Sequence, residues 1–100
     1  MKFQSIVVML ASAAKNQAIP PEGWSSIQVN DPHVTDIVNF AVTEFNKRIS
    51  IYISKLKLVK VINGESQVLV GGFNYNLTIS ASQRFTHIHN YEAVVLEKPS

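Results

Sequence analysis

One hundred residues, 46% of them apolar and 16% charged, suit one small folded domain and exclude a disordered chain. There is no cysteine, which excludes a disulfide framework and a thiolate metal centre. The formal net charge is only +2, and Lys55, Lys57 and Lys60 are the one close group of cations. They read as a solvated strand face, which argues against a nucleic-acid partner.

The first residues have the pattern of a targeting segment. Met1-Lys2 gives a positive end, Ile6-Val7-Val8-Met9-Leu10-Ala11 an apolar run, and Ala11-Ser12-Ala13 the small residues of a cleavage site. Residues 1–18 are therefore expected to be a signal peptide and linker on a secreted, extracellular or vacuolar protein. The alternative is a disordered or helical extension on a cytoplasmic protein. The apolar run is too short to span a membrane, so no membrane partner is expected of the mature form.

Residues 19–100 then form the domain. Lys15 to Gly23 is a linker by composition, and Pro20-Pro21 favours extended backbone. Trp24 to Val29 suits a short first strand. Asp31 can cap a helix and Pro32 suits its first position. Val34, Ile37, Val38, Ala41, Val42 and Phe45 recur at helical spacing to about Arg48, and Lys47 and Arg48 complement the dipole of the last turn.

From Ile49 the period changes to two. The phase of the apolar residues slips before Leu56, which predicts a bulge near Ser54 to Lys55. Strands are expected over Lys55 to Ile62 and Phe73 to Ile79, with Asn63-Gly64 as a turn signal between them. Ala81 to Thr86 reads as a polar connection, and His87 to Glu97 as the last strand. The order of strand, helix and strand meander predicts an α+β fold, with an antiparallel β-sheet packed on one α-helix.

His87 and His89 lie two apart on a strand, and with His33 they are the only metal candidates. Surface histidines are the simpler reading, so no metal site is assigned. No Ser/His/Asp set and no phosphate loop has supporting context. Asn76-Leu77-Thr78 is a glycosylation sequon, of consequence only in a secreted chain.

Between the predicted central strands lies Gln67-Val68-Leu69-Val70-Gly71, an apolar finger ending in glycine. With the helix residues Phe40-Ala41-Val42…Asn46 and the upstream Gly23-Trp24, it resembles the cystatins, and within them the plant branch, the phytocystatins. The resemblance covers about Glu22 to Pro99. It implies a cystatin-like fold that acts as a reversible, competitive, non-covalent inhibitor of papain-like cysteine proteases. It implies no enzyme activity and no cofactor. Gln67, Val68, Leu69, Val70 and Gly71 would form a wedge in the protease cleft, and Gly23 and Trp24 a trunk beside it. Phe40, Ala41 and Val42 would hold the helix on the sheet.

The chain departs from the family at three places. Leu69 stands where the motif usually has valine. Gly71-Gly72-Phe73 is one residue longer than usual. Ser100 replaces the usual tryptophan after Glu97-Lys98-Pro99, and the last strand is missing. The outer edge of the strand His87 to Glu97 is therefore expected to be bare, which predicts a homodimer by edge pairing or strand exchange. The alternative reading of function is a degenerate cystatin-fold protein with weak or no inhibition, acting in interaction or storage.

Overall fold

The computed structural model describes residues 2–10, 22–49, 55–83 and 87–99. Five strands and one helix follow in the order β1 (Lys2–Leu10), β2 (Ser25–Ser26), α1 (Pro32–Arg48), β3 (Leu56–Leu69), β4 (Gly72–Gln83) and β5 (His87–Lys98). The strands form one antiparallel sheet in the spatial order β1-β5-β4-β3-β2. This is the expected α+β architecture.

The helix begins where the cap chemistry puts it. Asp31 is extended at φ −65° and ψ 130°, and its carboxylate accepts the His33 N–H at 2.9 Å. Pro32 opens the first turn, where a missing N–H leaves no bond unmade. The helix ends at Arg48, with Lys47 and Arg48 in its last turn. Val34, Ile37, Val38 and Ala41 are buried, and Phe40, Val42 and Phe45 are partly buried beside them.

That stripe meets the alternating inward residues of the sheet. Tyr75, Leu77, Ile79 and Ala81 of β4 and Tyr91, Ala93 and Val95 of β5 complete the core with Leu56. Asn46 then fixes the start of β3 relative to the helix. Its Nδ2 donates to the Leu56 carbonyl at 2.9 Å, and the Leu56 N–H donates to its Oδ1 at 2.8 Å. One side-chain amide thus stands in for a neighbouring strand.

Several local expectations are corrected. Asn63-Gly64 is not a turn: β3 runs through it, and Gly64 is buried. A methyl on Gly64 would lie 2.8 Å from Leu77 Cδ2 and 2.9 Å from Ile27 Cγ1, so glycine here serves close packing, not a turn. The β3–β4 register slips between Leu58 and Lys60 and between Val61 and Asn63. Both irregularities lie downstream of the expected bulge at Ser54 to Lys55, and Ser54 lies outside the described residues. Ala81 to Gln83 continue β4 and are not a connection, while Arg84 to Thr86 lie outside the described residues. The first strand shrinks from Trp24–Val29 to Ser25–Ser26.

The largest correction is at the far edge. β1 lies antiparallel against β5 from Lys2↔Lys98 to Leu10↔Tyr91, with one irregularity between Phe3 and Ser5. The outer edge of β5 is therefore covered within the chain. The segment that reads as a leader occupies the place expected to be empty, because an apolar run of this composition also has high strand propensity.

Candidate functional site

The β3–β4 hairpin closes on Leu69 and Gly72, which are register partners, so its loop is the two residues Val70-Gly71. Gly71 has φ +81°, a conformation that side chains rarely adopt. The sharp closure leaves the preceding residues alternating outward and inward. Val68 is 76% exposed and Val70 107% exposed, while Gln67 and Leu69 are half-buried. Two branched apolar side chains thus protrude from a short, hydrogen-bonded stem. Solvent exposure of valine at a tip is unfavourable in water and becomes favourable on burial against a partner.

The trunk comes to the same end of the sheet. Ser25 pairs with Ser66 and Ser26 with Glu65, and the Ile27 N–H donates to the Gly64 carbonyl at 3.1 Å. Just before this short strand, Gly23 has φ +86° and is exposed, and Trp24 is half-buried. A side-chain carbon on Gly23 would lie 3.8 Å from Gln67 Nε2. The other end of that amide, Gln67 Oε1, accepts a long hydrogen bond of 3.4 Å from Asn74 Nδ2. The Gln67 side chain thus lies between Gly23 and the paired strand. The structure brings all seven sequence-predicted residues to one end of the sheet: Gly23, Trp24, Gln67, Val68, Leu69, Val70 and Gly71.

The additional glycine has a local reason. Gly72 is the first residue of β4, and a methyl there would collide with the backbone carbonyl of Glu97. Its presence lets the end of β5 approach the hairpin base, and the loop itself remains two residues long.

Behind the tip lies a polar cluster that sequence reasoning missed. Glu97 is fully buried, although its position near the end of β5 reads as an exposed, edge-protecting charge. Its Oε1 accepts from the Tyr75 hydroxyl at 2.8 Å and stands 3.0 Å from His33 Nε2. His33 belongs to the first turn of α1, where the helix dipole favours a nearby carboxylate. Burial, the hydrogen bond to Glu97 and the charges of Glu97 and Asp31 push the Tyr75 hydroxyl well above its ordinary pKa. Phe3 packs beside this cluster, with ring centroids 6.1 Å from His33 and 5.1 Å from Phe40. The available signal was parity: Glu97 continues the inward series Tyr91, Ala93, Val95.

The remaining candidates are elsewhere. His33 is engaged with Glu97, and His89 is exposed on β5. Among the described residues no group of acidic and histidine side chains could hold a metal. Asn76 lies within β4, half-buried, and its Nδ2 donates to Glu92 Oε1 at 3.2 Å. Lys55, Lys57 and Lys60 are all exposed, as a solvated face requires. No helix among the described residues is long and apolar enough to cross a membrane.

The tip is a protruding apolar hairpin, and comparison with known proteins gives the chain's class. Residues 27–100 match a family model described as "Aspartic acid proteinase inhibitor". The chain belongs to this proteinase-inhibitor family and is not an enzyme. It is 43% identical over 96 residues to "Cysteine proteinase inhibitor 5" of Arabidopsis thaliana, covering 95% of this chain and 75% of that one. It is 38% identical over 100 residues to "Cysteine proteinase inhibitor 6" of Oryza sativa subsp. japonica, covering 98% and 85%. It is 41% identical over 78 residues to "Cysteine proteinase inhibitor 1" of Actinidia chinensis var. chinensis, covering 77% and 63%. No solved structure matches the chain. The family description and the relatives' names thus point to two different protease classes.

Proposed function

We propose that this chain is a reversible, competitive, non-covalent inhibitor of papain-like cysteine proteases. Gln67 to Gly71 enter the active-site cleft, and the Gly23-Trp24 trunk lies beside them. The observation that carries the reading is the exposure of Val68 and Val70 at a two-residue turn, with Gly23 drawn up against Gln67. Burying each valine in a cleft contributes about 1.5–3 kcal/mol. The hairpin is already ordered by its ladder, so little conformational entropy is lost on binding. The relatives' names support the cysteine-protease target.

The family description favours a second reading, inhibition of an aspartic protease. One experiment separates the two. Papain and pepsin are each titrated with the purified chain, and residual activity is measured. Inhibition of papain, relieved by excess substrate, supports the first reading. Full papain activity at micromolar excess of the chain overturns it, and inhibition of pepsin alone establishes the second.

A further inference from the structure

The hairpin tip is bordered on each side by an exposed charge, and the two charges are opposite. On the trunk side Glu22 is exposed and directly precedes Gly23, which stands beside Gln67. On the other side Lys98 is exposed at the end of β5, and a side-chain carbon on Gly72 would lie 3.4 Å from its Cγ. The strand order β5-β4-β3-β2 puts the tip, which joins β3 to β4, between them. Among the described residues neither Glu22 nor Lys98 belongs to an ion pair.

Glycine at position 72 lets the stem of Lys98 lie against the first residue of β4, so this cation is seated at the base of the turn. Three strand spacings of about 4.8 Å separate β2 from β5, about 14 Å in all. That exceeds the Debye length of about 8 Å at physiological salt, so the two charges do not cancel one another and each acts on whatever faces it. A partner that approaches the tip therefore meets a negative side and a positive side. Opposite charges across an interface raise the rate of encounter, and like charges oppose it.

We infer that Glu22 and Lys98 are a specificity-determining pair. They favour a protease whose cleft is basic on the rim facing the trunk and acidic on the rim facing β5. The pair acts on the rate of association, while Val68 and Val70 supply the buried contact. A protease with the reverse pattern brings like charges together on both sides of the tip. The inference rests on the reading of the tip as a wedge in a protease cleft.

The test uses the full chain and two papain-like proteases, one with these rim charges and one with the reverse pattern. Association rates are measured for the parent and for Glu22→Lys with Lys98→Glu, a double reversal that leaves the net charge unchanged. Both residues are exposed, so the fold should be undisturbed. At low salt the parent should bind the first protease roughly tenfold faster than the second, and the double reversal should invert the preference. At about 0.5 M NaCl the preference should shrink to roughly twofold in both chains. Lys57→Glu, on β3 opposite Ser82 and away from the tip, changes the net charge and should leave the preference as it is. A preference that survives the double reversal overturns the inference, and so does one that follows Lys57→Glu or persists at high salt. Equal association of the parent with both proteases also overturns it, and leaves the wedge reading intact. Absence of inhibition of either protease overturns both.

Discussion

Gly23 and Gln67, forty-four positions apart in sequence, meet at one end of the sheet: a side-chain carbon on Gly23 would touch Gln67 Nε2 at 3.8 Å. This proximity places the trunk beside the hairpin. It makes Gly23 more than a linker glycine, because its φ of +86° sets the direction in which the preceding chain leaves. Gly23→Ala would strain this conformation by about 1–2 kcal/mol and turn the trunk away. Dissociation from papain should become roughly tenfold faster, beyond the fall of several degrees in thermal midpoint that the strain itself brings. An unchanged dissociation rate would show that the trunk makes no contact.

Val68→Asp with Val70→Asp tests the tip itself. Both side chains lie in solvent, so the folded domain should keep its melting temperature to within a degree or two. Inhibition should fall by at least about a hundredfold, because two apolar contacts are lost and two carboxylates must be desolvated. Inhibition constants and calorimetric midpoints on the same preparation check both halves. Undiminished inhibition would mean that another surface binds the protease.

The two neighbouring glycines of the hairpin should respond differently. At Gly71 a methyl meets open space, and only the positive φ resists it, so Gly71→Ala should lose about 1–2 kcal/mol. At Gly72 the methyl meets backbone of β5, which cannot swing aside, so Gly72→Ala should lose more, with an added 1–3 kcal/mol or so from overpacking. Urea denaturation of both variants gives the ranking. Equal losses would show that β5 yields at its end.

Tyr75 makes stability depend on alkaline pH. Burial, then its hydrogen bond to Glu97, raises its folded pKa above the ordinary 10.0 that it recovers on unfolding. The proton is held more tightly in the folded state, so the stability contribution is complete below pH 10 and is lost as pH rises above it. The denaturation midpoint of the parent should fall more steeply above that pH than that of Tyr75→Phe. At neutral pH the same substitution should lose about 1.5–3 kcal/mol, since Glu97 loses a donor while remaining buried. Parallel slopes would remove Tyr75 from the account. Tyr91, raised by burial alone, should contribute equally to both chains.

Local chemistry was legible wherever it acted over a few residues. The Asp31-Pro32 start, the Val34-Ile37-Val38-Ala41 stripe, the end at Arg48 and the Tyr75-Leu77-Ile79 alternation all appear in the structure at those residues. The wedge segment was legible as an apolar finger, but its turn was misplaced. Asn63-Gly64 has strong turn chemistry, yet Gly64 is needed as a gap for Ile27 and Leu77, and the chain turns at Val70-Gly71. A glycine signals that a side chain is excluded; it does not say whether by a turn or by a neighbour.

The sequence by itself determined the helix, the inward face of the two central strands and the residues of the tip, because periodicity and capping are set by neighbours in the chain. Only the tertiary structure decided that Gly23 stands against Gln67, that Glu97 is buried against Tyr75 and His33, and that Lys2–Leu10 closes the edge of β5. Each of these depends on which strand lies beside which. Pairing between distant segments is settled by the competition among all available edges for backbone partners, and no local pattern records that competition.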